Sequence, residues 1–77
     1  MATTKAQAIG SRIRQFRKSR GMTQHELGAV LQKREKRVQL LENGKAVLRS
    51  DELAVLAKFF GITTDALVNG TQAHRTH

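Results

Sequence analysis

Apolar residues recur along this chain at intervals of three and four positions, the spacing that places them on one face of an α-helix. No run of residues alternates with the period of two that is typical of strands. The pattern predicts five short helices: residues 6–20, a second that begins at Thr23, residues 35–43, one between Ser50 and Gly61, and one between Thr63 and Gly70. We therefore expect an all-α fold, with five helices around a small aliphatic core.

The predicted helix ends carry residues that favour helix termination. Thr23 and Glu26 form a Ser/Thr-x-x-Glu capping box, and Met22 and Leu27 occupy the two positions of a hydrophobic staple around it. These four residues define the start of the second helix. The other predicted N-caps are Ser50 and Thr63, and the glycines expected to close helices are Gly21, Gly44, Gly61 and Gly70.

Seventy-seven residues suffice for one domain, because a second core could not be closed with so few side chains. Residues 1–5 and 71–77 lack apolar periodicity, so we expect mobile ends around a folded domain over residues 6–70. The predicted core residues are Ile9, Ile13, Phe16, Leu27, Val30, Leu31, Val38, Leu41, Leu53, Leu56, Ala57 and Phe60.

The positive charge is concentrated in the first two thirds of the chain. Residues 1–49 hold 12 Lys and Arg against three Glu, a net +9, whereas residues 50–77 carry two cations against three acids, a net −1. A cationic face of this kind favours a polyanion, because each Lys or Arg set against a phosphate releases a counterion. RNA-binding and acidic-protein-binding domains share such a composition, so charge alone leaves the partner open.

Composition also limits the chemistry that we expect. The chain has no cysteine, which excludes disulfides and thiolate metal sites and favours a reducing, cytoplasmic environment. Apolar runs are far shorter than the roughly 20 residues that span a bilayer, so we expect no membrane association. The histidines, His25, His74 and His77, form no nucleophile–base pair with another residue at helical spacing, so we expect no enzyme, no cofactor and no metal site.

A short turn separates the second and third helices, and the third begins within the cationic run over residues 33–37. Two helices joined in this way meet the geometric requirement for inserting the second into a DNA major groove about 12 Å wide. Three motifs accompany this arrangement: Thr23-Gln24-x-Glu26-Leu27, Leu41-Glu42-Asn43-Gly44-Lys45, and Leu56-Ala57-x-x-x-Gly61-Ile62-Thr63-x-Asp65-x-Leu67.

With these motifs, residues 9–70 resemble the Xre/Cro family of helix-turn-helix DNA-binding domains, the fold of lambdoid phage repressors. The resemblance implies a transcriptional regulator that binds a palindromic operator in double-stranded DNA as a weak homodimer. Of the two senses of regulation, it favours a repressor. It also implies site residues in three groups: base reading by Arg34, Glu35, Lys36, Arg37, Gln39 and Leu40; phosphate binding by Thr23, Gln24, Asn43 and Lys45; and an ion pair between Arg17 and Glu42. Since the sequence offers no separate dimerisation domain, we expect dimer contacts at Val47, Leu48, Leu67 and Val68.

Elementary chemistry suggests how the third helix would read bases. Lys36 can donate to guanine O6 and N7, Glu35 can accept from a cytosine amino group, and Leu40 can pack on a thymine methyl group. Each residue also has an ordinary interpretation. Leu40 could border the core, Glu35 could stabilise the helix N-terminus, and Gln24 and Lys45 could be solvated surface residues.

The chain departs from the family pattern at the turn. Gln32 stands where the family usually has glycine, which implies either a strained left-handed residue or a longer second helix. Arg34 replaces the usual Ser or Thr cap of the third helix and cannot accept an amide hydrogen bond. These departures affect the base contacts more than the fold.

Two other functions remain open at this point. One is an antitoxin-type or accessory module whose main partner is another protein, a toxin or a second regulator, with DNA autoregulation secondary. The other is an RNA-binding or coactivator-bridging domain that keeps the fold but not the groove readout.

Overall fold

Five α-helices make up residues 4–71, the part of the chain that the computed structural model describes. They are α1 (Lys5–Ser19), α2 (Gln24–Leu31), α3 (Glu35–Glu42), α4 (Ser50–Phe60) and α5 (Thr64–Asn69). Within residues 4–71 there is no strand, and the predicted all-α, five-helix fold is confirmed. None of these helices is long and apolar enough to cross a bilayer.

Side-chain caps begin three of the helices. The Thr23 hydroxyl accepts from the Glu26 amide at 3.0 Å, while the Glu26 carboxylate accepts from the Thr23 amide at 2.8 Å, which confirms the predicted capping box. Thr63 caps α5 through the Ala66 amide at 3.0 Å. Thr4 and Gln7 form a further capping box.

The sequence analysis missed the box at Thr4, and α1 therefore begins at Lys5, one residue earlier than predicted. Thr4 is the N-cap of α1 and Lys5 is its first residue. The remainder of the two predicted mobile ends, residues 1–3 and 72–77, lies outside the described residues.

The prediction that Ser50 caps α4 is wrong. The N-cap residue is Arg49, and Ser50 is the first residue of the helix. An arginine side chain cannot accept an amide hydrogen bond. Instead, the Glu52 carboxylate accepts from the Arg49 amide at 2.9 Å, so the third helical residue satisfies the amide of the N-cap residue.

The core lies between the five helices: α3 packs against α1 and α2, α5 packs against α1 and α4, and α2 also contacts α4. The buried apolar residues are Ile13, Leu27, Leu31, Val38, Leu41, Leu56, Ala57, Phe60, Ala66 and Leu67. Four predicted core residues, Ile9, Phe16, Val30 and Leu53, are partly buried and pack around this cluster. The ring of Phe16 stacks on that of Phe60 with centroids 5.2 Å apart, which joins the end of α1 to the end of α4.

Helices α1 and α3 approach each other closely at Gly10. A Cβ atom at this position would overlap the carbonyl oxygens of Leu41 and Glu42. Glycine is the only residue that leaves space for this backbone contact. The end of α3 is thus set directly against the backbone of α1.

The turn between α2 and α3 is built on Gln32 in the left-handed conformation, with φ 57° and ψ 39°. It is the non-glycine residue with positive φ within residues 4–71. The Gln32 amide donates to Ala29 O at 3.1 Å and the Lys33 amide to Gly28 O at 2.9 Å, the hydrogen bonds of a Schellman motif. Of the two alternatives for this turn, the structure has the left-handed one, and α2 does not run on.

Replacing Gln32 by glycine is expected to stabilise the domain. A left-handed residue with a Cβ costs about 1–2 kcal/mol, and glycine removes that cost while adding some unfolded-state entropy. We expect Gln32→Gly to raise the free energy of unfolding by about 1 kcal/mol, measured by urea denaturation. Gln32→Ala keeps the Cβ and should give no comparable gain. If Gln32→Gly is no more stable than Gln32→Ala, the left-handed conformation at position 32 is not strained.

Candidate nucleic-acid interface

Helix α3 has one buried face and one outward face. Val38, Leu41 and Glu42 are buried against the domain. On the other side Lys36 is exposed and Leu40 is half-buried, and these two residues are neighbours because they are four positions apart. The helix therefore stands at the surface with the predicted base-reading positions 36 and 40 side by side on its outward face.

The α2-facing flank of α3 carries two further predicted base-reading residues, which contact each other. The Gln39 Nε2 group donates to the Glu35 carboxylate at 3.3 Å. His25 of α2 brings its Nδ1 atom to 4.0 Å from the other oxygen of Glu35. One oxygen of Glu35 therefore accepts from Gln39, and the other lies near His25.

The predicted base-reading residue Arg37 has a different place. Its Nε and Nη2 atoms donate to the two carboxylate oxygens of Glu52 at 2.8 Å each, and Nη2 also donates to Val47 O at 3.0 Å. The Arg37 side chain is 25% exposed and that of Glu52 only 1%. This guanidinium is thus bonded to α4 and to the preceding loop, whereas Lys36 on the outward face of α3 is exposed.

This ion pair perturbs both of its members. The hydrogen bond from Arg37 lowers the pKa of Glu52 from 4.5, and the Arg49 amide acts in the same direction. The hydrogen bond to Glu52 raises the pKa of Arg37. Sequence reasoning missed the pair, although a signal existed: Glu52 lies four and eight positions before Leu56 and Phe60, on the core stripe of α4, where a carboxylate requires a cation.

A second buried ion pair holds α3 to α1. Arg17 Nε lies 2.6 Å from Glu42 Oε2, Arg17 Nη2 donates to Glu42 Oε1 at 3.0 Å, and Arg17 Nη1 donates to Met22 O at 2.8 Å. The side chains are 9% and 1% exposed. The hydrogen bond to Glu42 raises the pKa of Arg17. These are the two residues that the family resemblance paired.

Gln24, a predicted phosphate-binding residue, is attached to the same carboxylate. Its Nε2 group donates to Glu42 Oε1 at 3.1 Å, so the amide at the start of α2 has a fixed orientation. One hydrogen of Nε2 is used in this bond, and a primary amide has a second one. Thr23 is exposed one residue earlier, with its hydroxyl occupied in the capping box.

The other predicted phosphate-binding residues, Asn43 and Lys45, are exposed and follow the end of α3. Gly44 between them has φ 71° and contacts Gln7 in the first turn of α1. The Lys45 amide donates to Leu40 O at 2.9 Å, which holds the loop to α3. Gln24 is thus bonded to Glu42, the residue that immediately precedes Asn43 in the chain.

Exposed cations surround this surface. Lys33, Arg34, Lys36 and Lys45 are exposed, and none of them takes part in an ion pair among residues 4–71. Arg34 is the N-cap of α3 and makes no side-chain capping bond, as its chemistry requires. The charge on this side of the domain is therefore available to an anionic partner.

An apolar groove of about 270 Å³ lies beside this surface. Val47, Leu48 and Val68, three of the predicted dimer contacts, line it together with Ile9, Ala46 and Leu53. Val47 is 79% exposed. The fourth predicted contact, Leu67, requires a correction: it is 0% exposed and belongs to the core, so a second copy cannot reach it.

Comparison with known proteins identifies the family. A family model described as helix-turn-helix, HTH_3, matches residues 13–67. The chain belongs to this helix-turn-helix family. The resemblance to Xre/Cro-type domains that the sequence motifs indicated is thereby confirmed.

Solved structures have the same fold as this helix-turn-helix domain. The clp gene regulator ClgR from C. glutamicum is similar with a TM-score of 0.77 and 23% identity, over 96% of this chain and 100% of that one. The DNA-binding domain of BldD has a TM-score of 0.72 and 26% identity, over 88% of this chain and 99% of that one. No curated protein matches the sequence.

Removing one member of the Arg17–Glu42 pair is expected to destabilise the domain strongly. Arg17→Met leaves a buried carboxylate without its cation, and such a loss costs about 3–5 kcal/mol. The double variant Arg17→Met/Glu42→Leu should be more stable than Arg17→Met, because no charge is stranded. Denaturant unfolding of both variants measures the difference.

The control for this prediction is Arg49→Met, which removes an arginine from an exposed pair 3.6 Å from Asp51. Exposed pairs contribute about 0–1 kcal/mol, so this variant should unfold almost like the unmodified protein. If Arg17→Met costs no more than Arg49→Met, the buried pair does not hold α3 in place.

Proposed function

We propose that this domain is a sequence-specific, double-stranded DNA-binding transcriptional regulator whose helix α3 enters the major groove. The observation that carries the proposal is the outward face of α3. Lys36 and Leu40 lie side by side there, among exposed cations, on a helix anchored through Arg17 and Glu42. A recognition helix needs this combination of a fixed axis and free side chains.

Base reading is assigned to the residues that remain accessible on α3. Lys36 donates to guanine O6 and N7, and Leu40 packs on a thymine methyl group. Gln39 and Glu35 act together at a neighbouring base pair, since the hydrogen bond between them orients both. Arg34, at the start of the helix, reaches the edge of the same groove.

Phosphate contacts are assigned to residues on either side of α3. Gln24, oriented by Glu42, offers its second amide hydrogen to a phosphate oxygen beside Thr23 and the amides that open α2. Asn43 and Lys45 contact phosphates of the DNA backbone beyond the end of α3. Contacts of this kind set the register of the protein on the duplex, while α3 supplies the specificity.

The protein binds a palindromic operator as a weak homodimer in this proposal. The apolar groove lies next to Val47, so two copies related by a two-fold axis can each place this valine against the other's groove. An interface that consists of one valine and one groove on each side is small, and dimerisation would take place mainly on DNA. Repression in the cytoplasm is the simplest outcome, because a bound dimer excludes polymerase from the same segment.

The names of the related structures agree with this function. ClgR is a gene regulator and the BldD fragment is a DNA-binding domain, and both have the helix arrangement described above. The same groove would also serve an antitoxin-type module that binds another protein. Co-purification of a stoichiometric protein, with no preference among duplexes, would favour that alternative.

The DNA-binding test compares two lysine variants on a duplex enriched from a random-sequence pool. Lys36→Ala should lose discrimination at one base pair, worth about 1–3 kcal/mol. Lys45→Ala should weaken binding to all duplexes about equally and reduce the slope of log K against log salt by about 1. Fluorescence anisotropy at several salt concentrations measures both effects.

The matched control is Lys58→Ala, which removes the same charge from an exposed position on α4. It should change neither discrimination nor the salt slope as much as Lys45→Ala. Equal affinity of the unmodified protein for enriched and random duplexes would refute sequence-specific recognition.

The dimer is tested with Val47→Gln, a neutral change that makes the exposed valine polar. We expect this variant to lose cooperative binding to a duplex with two half-sites and to bind a single half-site normally. Val55→Gln, at another exposed valine, is the control and should remain cooperative. Unchanged cooperativity in Val47→Gln would exclude the groove as the dimer contact.

A further inference from the structure

The loop between α3 and α4, residues 43–49, is held at its two ends by ordinary helix-terminal contacts. On the α3 side the Gly44 and Lys45 amides donate to Leu41 O and Leu40 O at 3.2 and 2.9 Å. On the α4 side the Arg49 amide donates to Glu52 at 2.9 Å. The middle of the loop, residues 46–48, needs a separate constraint.

Ala46 and Leu48 pack partly against the core, and the polar constraint on this segment is the side chain of Arg37. Its Nη2 donates to Val47 O at 3.0 Å, and this is the one hydrogen bond that the described residues give to the backbone of residues 46–48. The same nitrogen donates to Glu52, which is buried at the start of α4. A single guanidinium therefore connects α3, the middle of the loop and α4.

Arg37 suits this role because a planar guanidinium makes several directed bonds at once. The two parallel bonds to the Glu52 carboxylate fix the plane of the group, and the remaining direction of Nη2 points to Val47 O. A lysine at this position would supply a charge without the two parallel bonds. The carboxylate is held in turn by the Arg49 amide, so the whole arrangement is preorganised.

We propose that Arg37 is a positioning residue for the DNA-binding surface: with Glu52 it fixes the middle of the α3–α4 loop to α3 and so sets where Val47 lies, two residues beyond Lys45. The DNA part of this inference rests on the proposed function. The structural part, the fixing of residues 46–48, does not. Arg37 acts through the loop and makes no contact of its own with a base.

The decisive variant is Glu52→Gln, because the two roles of Arg37 predict opposite signs. Removing a negative charge beside DNA raises affinity by electrostatics alone, and it also frees Arg37 for any direct contact with the duplex. If Arg37 positions the loop, Glu52→Gln instead lowers affinity for the enriched duplex by roughly 2- to 30-fold. Arg37→Met should give a similar loss, and the double variant should lose no more than the worse single variant.

Arg20→Met is the matched control. Arg20 also makes a structural bond, from Nη2 to Phe60 O at 2.8 Å, but it lies over the rings of Phe59 and Phe60, away from the loop. Arg20→Met removes the same charge as Arg37→Met, so it measures how much of the loss in DNA affinity is due to charge alone. We expect its effect on the enriched duplex to be much the smaller of the two.

A second measurement does not depend on DNA. Backbone ¹⁵N order parameters of residues 46–48 should fall from about 0.85 towards 0.6 or lower in Arg37→Met and in Glu52→Gln, and remain unchanged in Arg20→Met. Circular dichroism at the same temperature verifies that each variant is folded. If Arg37→Met does not fold, Arg37→Lys replaces it, with a similar loss expected.

The outcomes separate the two proposals. An affinity that rises or stays constant in Glu52→Gln while Arg37→Met loses discrimination at one base pair would show that Arg37 reads DNA, and would overturn the inference. Order parameters that do not change would overturn it as well. A protein that binds no duplex would refute the proposed function, and the order parameters would then still decide whether Arg37 holds the loop.

Discussion

The bidentate contact between Arg17 and Glu42 is the constraint on which the arrangement of the first three helices depends. Two charges withdrawn from water are tolerated only when each satisfies the other, so neither residue can shift alone. The third nitrogen of Arg17 holds Met22 O just before α2, and the carboxylate also receives the amide of Gln24. One ion pair therefore fixes α1, the start of α2 and the end of α3 relative to one another.

The basic residues of the chain divide into two classes that composition cannot separate. The guanidinium groups of Arg17 and Arg37 are bonded to buried carboxylates. That of Arg12 donates to Leu67 O and Val68 O at the end of α5. Lys33 and Lys36 remain in solvent. Arginines that tie helices together thus supply rigidity, and the free cations supply the field that attracts an anion.

Local signals were sufficient for most of the fold. The capping box at Thr23 and the left-handed Gly61 lie where their sequence motifs indicated, because such ends depend on a few adjacent residues. The start of α4 was misassigned at Ser50. The Arg49 amide is bonded by the Glu52 carboxylate, and Glu52 is held by Arg37, which lies 15 positions before it. The contacts of Arg37 with Glu52 and Val47 were not predicted for the same reason. A basic residue on a cationic helix has the same local pattern whether it faces solvent or a buried acid, and tertiary packing decides between them.

The close approach of backbone to backbone at Gly10 has a consequence for how such a domain can diversify. The contact involves main-chain atoms of Leu41 and Glu42, so it is indifferent to the identity of the side chains at positions 36 and 40 on the opposite side of α3. The outward face of α3 can therefore vary in sequence while the closest contact between α3 and α1 is retained.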